Sequence, residues 1–310
     1  MGATVDGMSN TTWDCVIVGG GAAGLSAALV LGRARRRVLL VDAGGQSNLP
    51  AHGIGGLLGH DTRPPADFYA AARRELTAYP SVTVRDGSVT DARTTTDGFA
   101  LDVADDGEQA ARRVLLATGM DYRYPSLSGI AERWGRSVFH CPFCHGWEVR
   151  ERPLGVLGAG AEGLHRALLL RAWSDDVTLL TDGPAGLDDE QAARLAAAGV
   201  GVDERPLAAL EGEGASVVFA DGSTRPLGGL LVAVTLHQRG PLAARLGADV
   251  AAPTPLSSET VAVDGRQATA ASGLFAAGDL ALPMPSVANA VMSGSLAAAA
   301  VVGSLTGAAP

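Results

Sequence analysis

Two cysteines stand close together in the segment 140–148, which reads HCPFCHGWE. Cys141 and Cys144 are separated by two residues, and His140 and His145 flank the pair directly. A C-x-x-C spacing followed by histidine occurs in haem-attachment sites, in half of a zinc site and in redox-active dithiols. The surrounding sequence has to decide among these three chemistries.

Haem and zinc fit the rest of the chain poorly. Haem attachment normally requires export, and residues 1–13 have neither the basic region nor the apolar stretch of a signal peptide. Zinc prefers four ligands, and a single C-x-x-C would need histidines such as His140 to complete the set. A structural disulfide is unusual in a cytosolic enzyme. We therefore expect a redox-active pair, no metal site and a cytoplasmic protein, with Met8 as a possible alternative start.

The spacing of the two cysteines suits dithiol chemistry. Two intervening residues bring both sulfurs within bonding reach near the start of a helix. An ordinary thiol, with a pKa of about 8.5, is only a few per cent ionised at pH 7. A helix N-terminus and a neighbouring imidazole both favour the reactive thiolate. His145, and less directly His140, are candidates to accept protons from incoming thiols.

Composition limits the class of protein. The chain has 310 residues, of which 47% are hydrophobic and 18% charged, which is typical of globular domains. A net charge of −9 argues against a nucleic-acid partner. All basic residues are arginine, which excludes a Schiff-base or P-loop lysine. The apolar segment 287–305 is interrupted by Asn289 and several serines and glycines, so we predict a buried, alanine-rich helix and no membrane partner.

A dinucleotide-binding fingerprint lies near the N-terminus. The segment CVIVGGGAAG joins an apolar strand to a helical stretch, and RVLLVD then ends a second strand at Asp42. Gly19, Gly21 and Gly24 thus form G-x-G-x-x-G inside a β-α-β unit. In such units the first glycine permits the tight turn, the second admits a pyrophosphate at the helix N-terminus, and the third allows close packing. Asp42 could accept both hydroxyls of an adenosine ribose.

The pattern occurs a second time. GVLGAGAEG contains Gly158, Gly160 and Gly163, and after a helical stretch DVTLLTD ends in Asp182. Two such units predict two dinucleotide-type domains. The strand-like segments SVTVRD, ALDVADD, SVVFADG and GLLVAVT are predicted to form antiparallel hairpins on a parallel core.

Two more apolar strands end in small residues and glycine, which would let the backbone pass close to a cofactor. LLATG ends at Gly119, and GLFAAGDLAL contains Gly278 and Asp279. Asp279 is predicted at the entry of the alanine-rich helix, where it either caps the helix or holds a cofactor hydroxyl.

Together these elements resemble the low-molecular-weight thioredoxin reductase family. The resemblance implies an α/β fold with two Rossmann-like domains, in which an FAD domain (1–120 and 246–310) is split by an inserted NAD(P)-type domain (121–245) that carries the C-x-x-C. It also implies a homodimer with tightly bound FAD. CPFCHGWE, with histidine where reductases typically have aspartate, and DAGGQSN…PAH resemble the FAD-dependent sulfhydryl oxidases of gliotoxin, holomycin and romidepsin-type disulfide biosynthesis.

The resemblance also implies roles for individual residues. Cys144 would be the flavin-facing sulfur that forms the adduct or charge-transfer pair, and Cys141 the outer sulfur that exchanges with substrate. The residues implied in FAD binding are Gly19, Gly21, Ala22, Ala23, Gly24, Asp42, Ala43, Gln46, Asn48, His52, Ala117, Thr118, Gly119, Gly278, Asp279, Val287 and Ala288.

The electron acceptor separates an oxidase from a reductase. The family's reductases hold the 2′-phosphate of NADPH with arginines after the second strand of the inserted domain, whereas TLLTDGPAGLDDE has none. One unit-charge pair at about 4 Å costs roughly 4 kcal/mol at an effective dielectric of 20, so a phosphate beside Asp182 disfavours NADPH. NADH stays open, because Asp182 could bind a ribose 2′-hydroxyl.

We therefore predict FAD-dependent oxidation of a small-molecule dithiol to a disulfide, with O2 as the acceptor and H2O2 as the product. The alternatives are an NAD(P)H-dependent reductase of thioredoxin or a small disulfide, and a flavoprotein redox sensor.

Overall fold

The computed structural model describes residues 12–307, so Met8 lies outside the described residues. The eight helices of this range are α1 Ala22–Arg33, α2 Pro65–Leu76, α3 Ile130–Arg133, α4 Pro142–Val149, α5 Gly160–Leu170, α6 Asp189–Ala197, α7 Leu242–Arg245 and α8 Val287–Thr306. The strands are β1 Cys15–Val18, β2 Val38–Asp42, β3 Val82–Asp86, β4 Val89–Thr95, β5 Gly98–Val103, β6 Gly107–Ala111, β7 Val114–Leu116, β8 Met120–Arg123, β9 Val138–Phe139, β10 Leu154–Leu157, β11 Val177–Leu180, β12 Val200–Asp203, β13 Leu207–Glu211, β14 Ser216–Phe219, β15 Thr224–Arg225, β16 Gly229–Val232, β17 Thr235–Gln238 and β18 Leu274–Ala276. One 3₁₀ turn covers Gly278–Leu280.

The chain forms two compact units. Within the described residues, the first contains 12–47, 66–121 and 236–307, and the second contains Asn48–Pro65 and Tyr122–Thr235. These bounds differ from the predicted domains at three places, since 48–65 belongs to the second unit, and Asp121 and 236–245 belong to the first. The chain crosses from one unit to the other within β8 and β17, which pair as a two-stranded sheet.

The first unit is built on a parallel sheet of five strands in the order β18-β7-β1-β2-β3. Its central strands are continuous apolar runs with every residue buried, as expected for a parallel sheet covered on both faces. The predicted β-α-β unit around the first fingerprint is confirmed, with α1 between β1 and β2. The strands predicted in LLATG and GLFAAGDLAL are also confirmed, and they pair with each other.

The second unit contains a parallel sheet of the same size, in the order β12-β11-β10-β16-β9. The second fingerprint lies between β10 and α5, as predicted. Each unit also carries a three-stranded antiparallel sheet, β4-β5-β6 in the first and β13-β14-β15 in the second.

The prediction of hairpins is correct for two segments and wrong for the other two. ALDVADD and SVVFADG form the antiparallel strands β5 and β14. SVTVRD forms β3 and GLLVAVT forms β16, and both join the parallel sheets. The strand β16 is buried along its whole length. Continuous burial of this kind is typical of a central parallel strand, whereas a hairpin strand has one solvated face.

The alanine-rich segment forms α8, and one face of this helix packs on α1. Ser26 Oγ donates to the Val291 carbonyl at 2.9 Å and lies 2.8 Å from Ser295 Oγ. A Cβ at Gly294 would overlap the backbone of Ala23, so glycine is required for this close approach. The opposite face, with Met292 45% exposed, is open in the described chain, so the predicted burial holds only for the face that packs on α1. Within residues 12–307, α8 is the one helix long and apolar enough to cross a membrane, and its packing on α1 is that of a core helix.

Candidate active site

The C-x-x-C segment forms a disulfide at the beginning of α4. Cys141 is the N-cap residue, Pro142 follows it, and Cys144 lies in the first helical turn. The Cα atoms of the two cysteines are 5.3 Å apart. Proline suits the first helical position because its fixed φ angle matches the helix and its missing N–H needs no partner there. No side chain of the described residues caps this N-terminus, so the helix dipole acts directly on the sulfurs.

Three glycines allow the disulfide helix to pack tightly. A Cβ at Gly146 would lie 2.8 Å from the ring of Trp173, and one at Gly55 would overlap the carbonyl of Cys144. A Cβ at Gly135 would lie 3.1 Å from Pro50 Cβ. The segment 48–65 is thereby held against α4 and the residues that precede it.

His145 is a half-buried side chain beside the disulfide. Both of its ring nitrogens are buried and make no regular hydrogen bond within the described residues. Its ring stacks on Phe139 with centroids 5.7 Å apart and planes 11° from parallel. Burial lowers the pKa of His145 below its ordinary value, while Glu148 and the carbonyls of Cys141 and Gly135 act in the opposite direction. The predicted base is therefore neutral at neutral pH and free to take a proton.

His140 lies in a cluster of aromatic rings. Its ring centroid is 5.0 Å from that of Tyr122 and 5.9 Å from that of Trp134. Burial, reinforced by the charge of His145, lowers the pKa of His140 to about 4. An imidazole with so low a pKa is a weak base, so the structure favours His145 over His140 as the proton acceptor.

Large aromatic side chains are exposed on the same helix. Phe143 is 69% exposed and Trp147 is 63% exposed. Phe143 meets Trp173 edge to face at 5.3 Å, and the guanidinium of Arg150 lies 3.7 Å from the centre of a Trp147 ring. Aromatic rings beside a reactive disulfide can hold an apolar substrate.

The first fingerprint has the geometry of a phosphate cradle. Gly19 has a φ angle of +114°, and a Cβ there or at Gly24 would overlap neighbouring backbone. Gly21 is different, because a Cβ there would meet nothing closer than Gln46 Cγ at 3.9 Å. Gly21 is the N-cap of α1, whose first turn contains no acid and is capped by no side chain of the described residues. The helix therefore offers free N–H groups and a positive dipole end to an anion.

The loops at the carboxyl edge of the first sheet meet around this cradle. The amide of Ala117 bonds the Val18 carbonyl at 2.8 Å, and Gln46 Nε2 bonds the Gly20 carbonyl at 3.2 Å. A Cβ at Gly278 would lie 3.1 Å from Ala23 Cβ. The predicted residues in the first unit are Gly19, Gly21, Ala22, Ala23, Gly24, Asp42, Ala43, Gln46, Ala117, Thr118, Gly119, Gly278, Asp279, Val287 and Ala288, whereas Asn48 and His52 lie in the second unit.

Two predicted acids have surroundings that the sequence did not reveal. Asp42 is only 4% exposed, and its carboxylate accepts from Gly44 N at 2.9 Å and Arg73 Nη1 at 3.1 Å. The prediction that Asp279 lies at the entry of the alanine-rich helix was wrong. That helix begins at Val287 with Ser286 as its N-cap, because the Ser286 hydroxyl accepts from the Asn289 amide at 3.1 Å.

These observations fit a bound FAD. The open space at Gly21, the uncapped start of α1 and the close-packed Gly19 and Gly24 are what a dinucleotide pyrophosphate needs. Gly119, with a φ angle of +65°, has no atom of residues 12–307 within 4 Å of a built Cβ and leaves room beside the same edge.

The second fingerprint is closed by its own loop. The amide of Gly160, at the start of α5, donates to the carbonyl of Ala185 at 2.8 Å. Glu204 holds that loop, since its side chain accepts from Ala185 N at 2.7 Å and its carbonyl accepts from Gly183 N at 3.1 Å. An oxygen of Asp182 accepts from Leu207 N at 2.7 Å. The amide that a second pyrophosphate would approach is thus already bonded to protein, and one oxygen of the exposed Asp182 accepts from a backbone amide.

Four residues that contribute to these sites were not predicted from the sequence. Arg73 pairs with Asp42, Ala185 closes the second fingerprint, and Gly55 admits Cys144. None of these positions carries a motif. Glu148 could have been found, because it follows His145 by three residues in a predicted helix. Across residues 12–307 no group of three or more His, Cys, Asp or Glu side chains could hold a metal ion.

Comparison with known proteins agrees with this architecture. Residues 13–294 match the family of pyridine nucleotide-disulphide oxidoreductases. The chain is 33% identical to the thioredoxin reductase tcpT of Claviceps purpurea, over 92% of this chain and 91% of that protein. Its structure resembles an oxidoreductase from Agrobacterium tumefaciens with a TM-score of 0.90 and 40% identity, covering 96% of this chain and 99% of that one. It also resembles HlmI, with a TM-score of 0.88, 34% identity and coverage of 96% and 93%.

The predicted family and fold class are confirmed by these matches. The fungal relatives and HlmI also place the chain near the thioredoxin reductase-like proteins of the resemblance drawn from CPFCHGWE. The family implies FAD as the cofactor, in agreement with the cradle around Gly21. The chain belongs to the pyridine nucleotide-disulphide oxidoreductase family and is one of its thioredoxin reductase-like flavoenzymes.

Proposed function

We propose that this flavoenzyme oxidises a small-molecule dithiol to a disulfide and passes the electrons to O2. The balanced reaction joins the two substrate sulfurs and converts O2 to H2O2, so that two electrons and two protons leave the dithiol and both reach oxygen. Such a step belongs to the biosynthesis of disulfide-containing natural products. The enzyme would act as a homodimer, as the family resemblance implies.

The closed second fingerprint is the observation that carries this proposal. A reductase of this family needs a nicotinamide dinucleotide as electron donor, and its pyrophosphate needs the amides at the start of α5. Here the Gly160 amide is bonded to the Ala185 carbonyl at 2.8 Å. Glu162 also lies in the first turn of α5, where Arg166 pairs with it at 3.2 Å. Electrons are therefore expected to enter from a thiol.

The residues of the second unit would carry out the thiol exchange. A substrate thiol gives its proton to His145, and the resulting thiolate attacks the sulfur of Cys141. The bond between Cys141 and Cys144 breaks, and Cys144 leaves as a thiolate. The second substrate thiol then displaces Cys141 and closes the product disulfide. The helix N-terminus stabilises the thiolates.

FAD, held by the Gly19–Gly24 loop, supplies two-electron chemistry and transfer to O2 when bound. The bond between Cys141 and Cys144 would re-form when the two electrons left on these sulfurs pass to bound FAD, with Cys144 as the flavin-facing sulfur and Cys141 as the one that exchanges with substrate. His52 and Asn48 are proposed contributors to the site from the segment 48–65.

Oxygen uptake distinguishes the proposed oxidase from the alternative reductase. Purified enzyme mixed with small dithiols in air, without nicotinamide, should consume O2 and form H2O2 in equal amounts. Anaerobic titration of the flavin with NADH in one cuvette and dithiol in another identifies the electron donor. Rapid bleaching by NADH together with no turnover of any dithiol would reject the oxidase and support the reductase.

A further inference from the structure

A cavity of about 760 Å³ lies beside the disulfide helix and has no role in the proposed exchange. All of its lining residues belong to the second unit. They include Glu148 and Val149 of α4, His52 of the segment 48–65, and Arg152. The cavity therefore joins the end of the disulfide helix to the segment that packs against Cys144.

His145 needs a partner for the proton it accepts. Both ring nitrogens are buried and make no regular hydrogen bond within residues 12–307. The carbonyls of Cys141 and Gly135 favour the protonated ring only in part, because burial still holds its pKa below the ordinary value, so the proton must be stabilised further and then released. Each substrate molecule gives up two protons during the exchange, which makes this release part of every turnover.

Glu148 is placed to stabilise the charged ring. It follows His145 by three residues in α4, and residues with this spacing lie on the same face of a helix. The charge of Glu148 raises the pKa of His145, and the charge of His52 lowers it, so both groups act on the ring electrostatically. His140 is the third titratable neighbour, and the charge of His145 lowers its pKa.

His52 is a second imidazole that acts electrostatically on the ring and also lines the cavity. It is exposed, it lines the same cavity as Glu148, and its segment is held against α4 by Gly55. Because two like charges repel, a proton on one of these two imidazoles disfavours a proton on the other.

We propose that Glu148 is the positioning residue that stabilises protonated His145, and that His52 carries the proton from His145 into the cavity. This inference rests on the proposed function. During each exchange a proton moves from a substrate thiol to His145, then by way of His52 to solvent. The two protons released are balanced by the two that O2 takes up with two electrons to form H2O2.

Histidine NMR on the holoenzyme tests the electrostatic pairing without any turnover. The chain has six histidines, and His145→Asn identifies the signal of His145 by its loss. Glu148→Gln should lower the pKa of His145, Glu148→Asp should restore most of it, and His52→Asn should raise it. Glu213→Gln removes the same charge from the same cavity and is the matched control, because Glu213 does not act on His145.

The activity measurement is the pH profile of kcat/KM for a dithiol. A general base contributes a factor of about 10² to 10⁴ to the rate. Loss of the residue that stabilises the protonated base should lower kcat/KM on the order of tenfold. The acidic limb should move to lower pH in Glu148→Gln and to higher pH in His52→Asn. Fixed His145 signals in both variants, or equal movement in Glu213→Gln, would overturn the pairing.

The two measurements also separate the two proposals. The pKa of His145 could shift in opposite directions in Glu148→Gln and His52→Asn while the enzyme turns over no dithiol. That result would reject the proposed oxidase and, with it, a catalytic role for the proton route. Turnover with a pH profile unchanged by Glu148→Gln and His52→Asn would leave the oxidase standing and reject the proton route.

Discussion

The amide of Gly160 donates a hydrogen bond of 2.8 Å to the carbonyl of Ala185. Gly160 is the middle glycine of the second G-x-G-x-x-G and begins α5, so this amide is one that a pyrophosphate would approach. Ala185 is 8% exposed and its loop is tied to Glu204, so the carbonyl is a fixed part of the fold. The glycine motif predicts nucleotide binding, but the Ala185 carbonyl occupies the amide that the nucleotide would need.

Nicotinamide dinucleotides should therefore neither bind tightly nor reduce the flavin. A pyrophosphate would have to displace the Ala185 carbonyl from the Gly160 amide, and the 2′-phosphate of NADPH would in addition meet the charge of Asp182. We expect no catalytic bleaching by NADH or NADPH in anaerobic stopped-flow experiments, and full bleaching by a dithiol. Bleaching by NADH at rates that match turnover would show that the loop opens.

Substitution of either cysteine of the disulfide should abolish dithiol oxidation. Cys141→Ser and Cys144→Ser should each reduce kcat/KM on the order of 10³-fold or more, because the two sulfurs act as one unit. FAD content should stay at the level of the unmodified enzyme. Cys15→Ala is the matched control, since burial raises the pKa of the Cys15 thiol to about 12 and makes it inert. Flavin reduction by thiols that survives Cys144→Ser would remove the role assigned to this residue.

The three glycines of the first fingerprint should respond differently to substitution. Gly21→Val places a side chain in open space, so we expect a folded protein that has lost FAD. Gly24→Val drives a Cβ into the Gly19 carbonyl and should destabilise the whole unit.

Flavin absorbance per protein and thermal unfolding distinguish these outcomes. The expected result is a colourless Gly21→Val variant that unfolds cooperatively. A Gly21→Val variant that retains FAD would contradict the cradle, and one that fails to fold would contradict the open space.

Stability should fall on acidification because His140 is buried in its neutral form. Its pKa is lowered to about 4 in the folded chain, against about 6.5 when unfolded. Between these values the unfolded chain binds the additional proton, so the free energy of unfolding decreases as pH falls from about 6.5 to about 4. The slope from one such group is limited to about 1.4 kcal/mol per pH unit.

His140→Phe keeps a ring against Trp134 and Tyr122 and removes the titration. Urea unfolding at pH 7.5, 6 and 5 should show a smaller loss of stability for this variant than for the unmodified protein. Identical pH dependence in the two proteins would mean that His140 is not buried in its neutral form.

Much of the fold followed from the sequence because local patterns specify it. The apolar run CVIVGG and the glycine spacing after it predicted β1, the turn and α1, since these features depend on residues close in the chain. The disulfide at the start of α4 also followed from local spacing. The hairpin prediction was wrong for β3 and β16, because strand pairing depends on partners that are distant in sequence.

The residues that lie together in a site could be predicted only where a single segment of the chain supplies them. Cys141, Cys144 and His145 lie within five consecutive residues, so their proximity was certain from the sequence. The contact of Arg73 with Asp42 and that of Ala185 with Gly160 join separate segments and carry no motif. Whether Asp279 capped a helix depended on where that helix began, and the capping hydroxyl of Ser286 settled it.

The sequence by itself determined the two β-α-β units, the glycine cradle and the spacing of the dithiol. Each of these features is encoded by residues in the same element or in elements that follow one another along the chain. Only the tertiary structure decided that the second cradle is closed, that the ring nitrogens of His145 are buried without a regular hydrogen bond, and that a cavity joins His52 to Glu148. Burial and hydrogen-bond partners are properties of the packed chain, since they depend on which distant segments exclude water from a group.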